Sequence, residues 1–262
     1  MSVPGVLAPY VASLVPYDVC GEPGVHIGMP STCLTLVLAV DEPLDVGWAG
    51  GARVSSWANV AGLHPSPAEI RHGRRQRGVY LDLTVTGARA LLGLPAGALA
   101  GALADVADVD PAMRDLPERL AGSSPDRWTA VVARALIAAL SRHDAPAPRA
   151  EVGRALARLT RGARVADVAE DVGYSRRHLG DLVRAECGVS PQEYRRLARF
   201  ERSHALVRDA ATSLADAAAR CGYADQSHLA REWTAFAGCS PSEWRRRELP
   251  SVQAGGPGSA AG

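Results

Sequence analysis

Residues 173–202 read GYSRRHLGDLVRAECGVSPQEYRRLARFER, and residues 222–246 read GYADQSHLAREWTAFAGCSPSEWRR. The second stretch is a diverged copy of the first. Gly173 and Tyr174 recur as Gly222 and Tyr223, and His178 and Leu179 recur as His228 and Leu229. Gly188, Ser190, Pro191 and Glu193 recur as Gly238, Ser240, Pro241 and Glu243, and Tyr194 becomes Trp244. The copy carries one extra residue in its turn, where Ala224 and Asp225 replace Ser175. Matches in this order mark a duplicated structural unit.

Each copy has the pattern of helix, tight turn, helix. Val165, Val168, Ala169 and Val172 stand at i, i+3, i+4 and i+7, so one face of a short helix is apolar. Gly173 follows where a chain ending a helix turns left-handed, a conformation that costs glycine nothing. Ser175 is placed to cap the next helix by accepting from a free backbone N–H. Leu179, Leu182 and Val183 mark the buried face of that helix. In the second copy Ser213 caps, Leu214, Ala217, Ala218 and Cys221 pack, Gly222 turns and Asp225 caps again. Leu229, Trp233 and Phe236 form its buried face. Both units are therefore read as helix-turn-helix.

A further helix follows each unit. Ser190 to Glu193 and Ser240 to Glu243 both fit S-x-x-E, a reciprocal capping box, with proline at the first helical position. The first of these helices should run from Pro191 to about Arg208, or about 27 Å. It would hold two recognition helices apart, on one face, at about the 34 Å of one DNA turn.

GYSRRHL, GVSPQEYRRLARFER, GYADQSHLAREW and GCSPSEWRR together resemble the DNA-binding domain of the AraC family of regulators. The resemblance covers about 100 residues. It implies seven helices, two helix-turn-helix units, double-stranded DNA bound in the major groove, and RNA polymerase as a partner by analogy with the family. The exposed positions of the two recognition helices are then the DNA-facing ones. Arg176, Arg177, Asp181, Gln226, Ser227 and Arg231 are the candidate base readers, since arginine pairs with guanine O6/N7 and glutamine with adenine N6/N7. Arg184, Arg195, Arg196, Arg199 and Thr234 are the candidate phosphate contacts, which position without reading sequence. Asp181 departs from the basic residue common in the family; it would repel phosphate but could accept from cytosine N4. His178 and His228 are read as structural or phosphate-facing rather than as metal ligands, and Val183 and Trp233 as core residues replacing the family's usual phenylalanine.

Charge agrees with this division. Residues 149–249 hold 18 arginines against 14 acidic residues, and the rest of the chain 11 against 14. A basic half suits a polyanion. HDAPAPR at 143–149 cannot be helical and reads as a linker, so the expected domains are 1–142, linker 143–149, and 150–249. Residues 250–262, rich in glycine, alanine, serine and proline, are expected to be disordered.

The N-terminal part is expected to be α+β, strands first and helices after. Leu34–Val40, Arg53–Val60 and Val79–Thr86 read as strands; in the last, Val79, Leu81, Leu83 and Val85 alternate with polar residues. Ala88–Gly93, Pro95–Val106, Pro111–Leu120 and Asp126–Arg142 read as helices. The run Arg71–Arg77 suggests a solvated hairpin loop or an anion site. Five scattered cysteines without a C-x-x-C pair point to reduced thiols, with no disulfide frame and no zinc site. His26, His64 and His72 are too far apart to define a metal site. Neither a secretory leader nor an apolar run of spanning length is present, which leads to an expectation of a cytoplasmic protein. No cofactor and no metal are expected.

Three functions stay open at this stage. One is a transcription regulator whose N-terminal domain binds a small-molecule effector of unknown identity. Another is a constitutive DNA-binding regulator whose N-terminal domain only makes a homodimer; Trp128, Val131, Val132, Ala135, Leu136 and Ala139 would be either its dimer seam or core. The third, a DNA-repair methyltransferase with an AraC-like module, needs about four zinc-bound thiolates upstream. Only Cys20 and Cys33 stand there. The expected protein is not an enzyme.

Overall fold

The structure is a computed structural model and describes residues 3–48, 50–143 and 147–247. Strands come first: β1 (Val11–Cys20), β2 (Gly24–Gly28), β3 (Leu34–Ala39), β4 (Leu44–Trp48), β5 (Arg53–Ser56), β6 (Ala58–Ala61), β7 (Ala68–His72), β8 (Arg75–Leu83) and, later in the chain, β9 (Leu103–Asp105). They form two antiparallel sheets, ordered β1-β8-β3-β6-β9 and β2-β7-β4-β5. Period-two alternation divides the central strands between two surfaces. Val79, Leu81 and Leu83 of β8 are fully buried, as are Leu34, Leu36 and Leu38 of β3, and they belong to the main core shared with the helices. The intervening Tyr80, Asp82, Thr35 and Val37 line a cavity instead.

Four helices complete this part: α1 (Val85–Leu92), α2 (Val106–Val109), α3 (Leu116–Ala121) and α4 (Trp128–Arg142). The alternating stretch 79–86 ends early as a strand, because Thr84 accepts from Gly87 N–H and caps α1, so Val85 and Thr86 are helical. Arg53–Val60 is two strands rather than one; it breaks at Trp57 and its halves join different sheets. Pro95–Val106, expected as helix, is a 3-10 turn at Ala96–Leu99 followed by β9. Alanine and glycine spacing is compatible with helix there, but residues 103–105 pair with β6 and take their backbone groups into the first sheet. In α4, Trp128, Val131, Val132, Leu136 and Ala139 are buried, so the stripe weighed as a dimer seam is core. Trp128 Nε1 donates to Leu120 O at 2.9 Å and ties α4 to α3. At the other end Arg142 donates to the buried Asp110 at 2.6 Å.

From residue 150 to 247 the chain is helical: α5 (Ala150–Thr160), α6 (Val165–Asp171), α7 (Arg176–Cys187), α8 (Pro191–Arg208), α9 (Leu214–Cys221), α10 (Gln226–Ala237) and a last helical stretch at 241–247. The turn chemistry is local. Gly173 and Gly222 have φ of +73° and +76°. Ser175 accepts from His178 N–H and Asp225 from His228 N–H. Ser190 and Glu193 form the full reciprocal box. The matching Ser240 box is only half made: Ser240 accepts from Glu243 N–H, but the Glu243 carboxylate turns to Arg247. The expected tail, 250–262, lies outside the described residues. No described helix is long and apolar enough to cross a membrane.

Candidate nucleic-acid interface and interdomain cavity

Buried and exposed positions divide cleanly along the two recognition helices. On α7, Leu179, Val183, Glu186 and Cys187 are buried, while Arg176, Arg177, Asp181 and Arg184 are exposed. On α10, Leu229, Glu232, Trp233 and Phe236 are buried, while Gln226, Ser227, Arg231 and Thr234 are exposed. No hydrogen bond or ion pair ties Arg176, Arg177, Arg184 or Arg231 to another described residue. Their guanidinium groups are available for an anion or a base edge. Thr234 Oγ1 donates to Ala230 O at 2.9 Å and keeps its lone pairs as acceptors. His178 and His228 lie edge-on against Tyr174 and Tyr223 with centroids at 4.7 and 5.3 Å.

Two of the expected phosphate contacts, Arg199 and Arg196, are ion-paired within the helical domain. Arg199 donates from Nε and Nη2 to the Glu232 carboxylate at 3.0 and 2.7 Å, and Arg196 Nε donates to it at 3.0 Å. The Arg199 side chain is 13% exposed and that of Glu232 only 4%. Arg199 also lies over the Tyr223 ring at 4.5 Å and Arg196 over Phe236 at 5.1 Å. The Arg199 guanidinium so enclosed is withdrawn from solvent, whereas the Arg196 side chain stays 37% exposed. Burial pushes the Glu232 carboxyl up, but the bonds from Arg199 and Arg196 outweigh it and hold the group below the usual carboxylate range. Arg195 donates to Gly162 O at 3.4 Å and stays half-buried.

Periodicity could have revealed these glutamates. Glu186 stands at i+7 from Leu179 and i+3 from Val183, and Glu232 at i+3 from Leu229, both inside apolar stripes. The arginine run also reads differently in three dimensions. Arg71, Arg74, Arg75 and Arg77 are paired with Asp45, Glu22, Asp18 and Asp41, so the β7–β8 turn and its flanks form an ion-paired surface.

A cavity of about 560 Å³ lies between the two sheets and is closed on one side by α8 and the last helical stretch. Val37, Leu44, Val46, Ile70 and Leu103 supply apolar wall from the sheets; Phe200, His204, Arg208 and Trp244 supply the helical side. Thr32 donates from both N and Oγ1 to Glu201 of α8, at 3.2 and 2.7 Å, beside it. Asp82 accepts from Ser13, Thr35 and Tyr80 hydroxyls. Burial lowers the His64 pKa to about 4, against an opposing backbone bond to Ser66. Burial, aided by Arg208, lowers that of His204 to about 4. Both rings are therefore neutral at pH 7.

That neutrality has a pH consequence. The unfolded chain protonates these histidines near pH 6.5, and the folded chain only near pH 4. Stability should therefore fall as pH drops from 6.5 toward 4, by up to about 3 kcal/mol per ring. Urea titrations between pH 7 and 5 measure this, and His204→Phe should remove about half of the slope. A midpoint that stays level over that interval contradicts the assignment.

Among the described residues no group of three or more His, Cys, Asp or Glu side chains is arranged to hold a metal ion. Cys20 is exposed, and burial pushes the Cys33 thiol up to about 12, so it is protonated at neutral pH.

The comparisons with known proteins follow this geometry. A family model described as a helix-turn-helix domain matches residues 168–247. The HTH-type protein YkgA of Escherichia coli (strain K12) is 38% identical over 84 residues, 32% of this chain and 35% of that protein. The HTH-type transcriptional activator RhaR of Yersinia pseudotuberculosis is 33% identical over 75 residues, 29% of this chain and 26% of that protein. The match thus spans between about a quarter and a third of the length of these curated relatives. Crystal structures of ToxT from Vibrio cholerae share the fold across almost the whole chain. For strain O395 the TM-score is 0.53 at 10% identity, covering 89% of this chain and 96% of ToxT. A form with an unsaturated fatty acid bound gives 0.53 at 10% identity, covering 90% and 95%. A strand-rich domain followed by two helix-turn-helix units is the architecture that this chain shares with those structures. Within this chain the helix-turn-helix family match is confined to residues 168–247, from α6 to the last helical stretch.

Proposed function

We propose that this protein is a sequence-specific DNA-binding transcription regulator in which α7 and α10 each read one major-groove box and the cavity between the sheets and α8 takes a small-molecule effector. The observation that carries the first part is the pair of recognition helices, each with an exposed face whose arginines have no intramolecular partner. Arg176, Arg177 and Asp181 read the first box, and Gln226, Ser227 and Arg231 the second. Arg184, Arg195 and Thr234 contact phosphates. A cavity walled by apolar side chains, at the place where the domains meet, supports effector control over a purely dimerising N-terminal domain. That ToxT has been crystallised with an unsaturated fatty acid supports a lipid-like apolar occupant here.

Selection of sites from random duplex DNA with the full-length protein tests this reading, at two salt concentrations. The expected result is two boxes about one helical turn apart. Binding without a motif, collapsing with salt, would mean phosphate contacts alone and would overturn it. On the selected operator, Arg177→Ala and Arg231→Ala should each lose about 1–3 kcal/mol and relax preference in one box only. Arg184→Ala should weaken all sequences alike and lower the salt slope by about one. Oleic acid added to the same assay should change operator affinity; an unchanged affinity despite saturating binding would remove effector control by this ligand class.

A further inference from the structure

The first recognition helix is joined to the N-terminal domain by a buried ion pair and a backbone seam. Glu186, in the last turn of α7, is 5% exposed. A carboxylate so placed requires a cation. That cation comes from the other domain. Arg89 of α1 donates from Nε to both Glu186 oxygens, at 2.8 and 3.0 Å, and from Nη2 to Oε2 at 2.8 Å. Such a fork fixes orientation as well as distance.

Beside the fork the two backbones touch. A Cβ on Gly97 would lie 2.8 Å from Ala185 O, 2.9 Å from Gly188 N and 3.0 Å from Arg184 O. A Cβ on Gly188 would lie 2.0 Å from Ala100 Cβ. The turn at 96–100 is thus seated on the C-terminal turn of α7. The buried side chains agree: most of those of the N-terminal domain form one continuous cluster with those of α5 to α7, and those of α9 and α10 form another.

The second unit lacks this seam. Phe236 stands where Glu186 stands in the first copy. Gly238, the counterpart of Gly188, has only Pro67 Cγ near its Cβ position, at 3.7 Å. The second recognition helix is held from behind by its own Glu232, which accepts from Arg196 and Arg199 of α8, within the helical domain.

We propose that Arg89 and Gly97 are positioning residues for DNA reading: through the Arg89–Glu186 fork and the Gly97–Gly188 approach, the N-terminal domain sets the placement of α7 and hence the reading of the first box alone. The consequence for DNA rests on the function proposed above; the seam itself does not. A rearrangement of α1 or of the 96–100 turn then reaches DNA through one box, with the second box keeping its own support on α8.

Full-length Arg89→Ala and Gly97→Val test this on the selected operator and on two derivatives, each with one box scrambled. Arg177→Ala identifies the box of the first unit. Each N-terminal variant should lose tenfold or more on the duplex that keeps only the first box, and less than twofold on the duplex that keeps only the second. The charge-exchanged double variant R89E/E186R should recover most of the loss. Equal losses on both boxes, or none on the first, overturn the proposal. Hydrogen exchange on the free protein supplies a readout without DNA. In Arg89→Ala, amides of residues 184–190 should exchange at least tenfold faster, while those of 226–237 stay at the wild-type rate. Unchanged exchange at 184–190 overturns the seam whatever the DNA results. Failure of the wild type to select any motif would reject the proposed function instead, and the exchange result would still decide the seam.

Discussion

Glu232→Ala should lower the unfolding free energy by about 3–5 kcal/mol, because it leaves Arg199 enclosed without its counter-charge. Arg199 packs against Tyr223 and points both donating atoms at this one carboxylate. Removing the acid strands the cation, whereas Arg196→Ala, at the more exposed partner, removes one of three bonds and should cost about 1 kcal/mol. Urea unfolding of the three proteins measures the order. Similar costs for Glu232→Ala and Arg196→Ala would show that the cluster is not enclosed as described. The pair also has a pH signature. The folded carboxyl titrates below the usual range, so its contribution is complete at neutral pH and lost as pH falls through that lowered value. Loss of structure at acid pH should therefore begin at a higher pH in Arg199→Ala than in the wild type.

Gly188→Ala and Gly238→Ala should differ sharply although the two glycines are counterparts in the repeat. Both have φ near +72°, where a Cβ costs about 1–2 kcal/mol. Gly238→Ala meets nothing closer than Pro67 Cγ and should cost only that amount. At Gly188 the new methyl group would overlap Ala100 Cβ and press on the Gly97 backbone. Overpacking of this kind adds about 1–3 kcal/mol, for about 2–5 kcal/mol in all. Thermal and urea unfolding of the two variants make the comparison directly. Equal destabilisation would place the interdomain approach further apart than 2.0 Å suggests.

Legibility followed the range of the interactions. Ser175, Ser190, Ser213 and Asp225 cap helices within three residues of themselves, and Gly173, Gly188, Gly222 and Gly238 turn the chain on the spot. Such signals are complete within a short window, so both helix-turn-helix units and the long α8 were readable in advance. The strand pattern at 79–83 was equally local. Residues 95–106 misled because small residues are compatible with helix, turn or edge strand, and pairing with β6 decided among them. Arg196 and Arg199 were legible as cations but not as occupied ones, since their partner lies more than thirty residues away.

By its sequence alone, this protein is committed to two helix-turn-helix units in tandem, to their turns and caps, and to the side chains that recognition helices present outward. These depend on backbone conformation and on an apolar stripe, both set by neighbours within one or two turns. Tertiary structure decided the rest. It joined the first unit to the N-terminal domain through Arg89 and Glu186, tied the second to α8 through Glu232, and enclosed a cavity between two sheets and a helix. Each of these rests on groups far apart in the chain, whose burial and charge balance exist only once the layers pack.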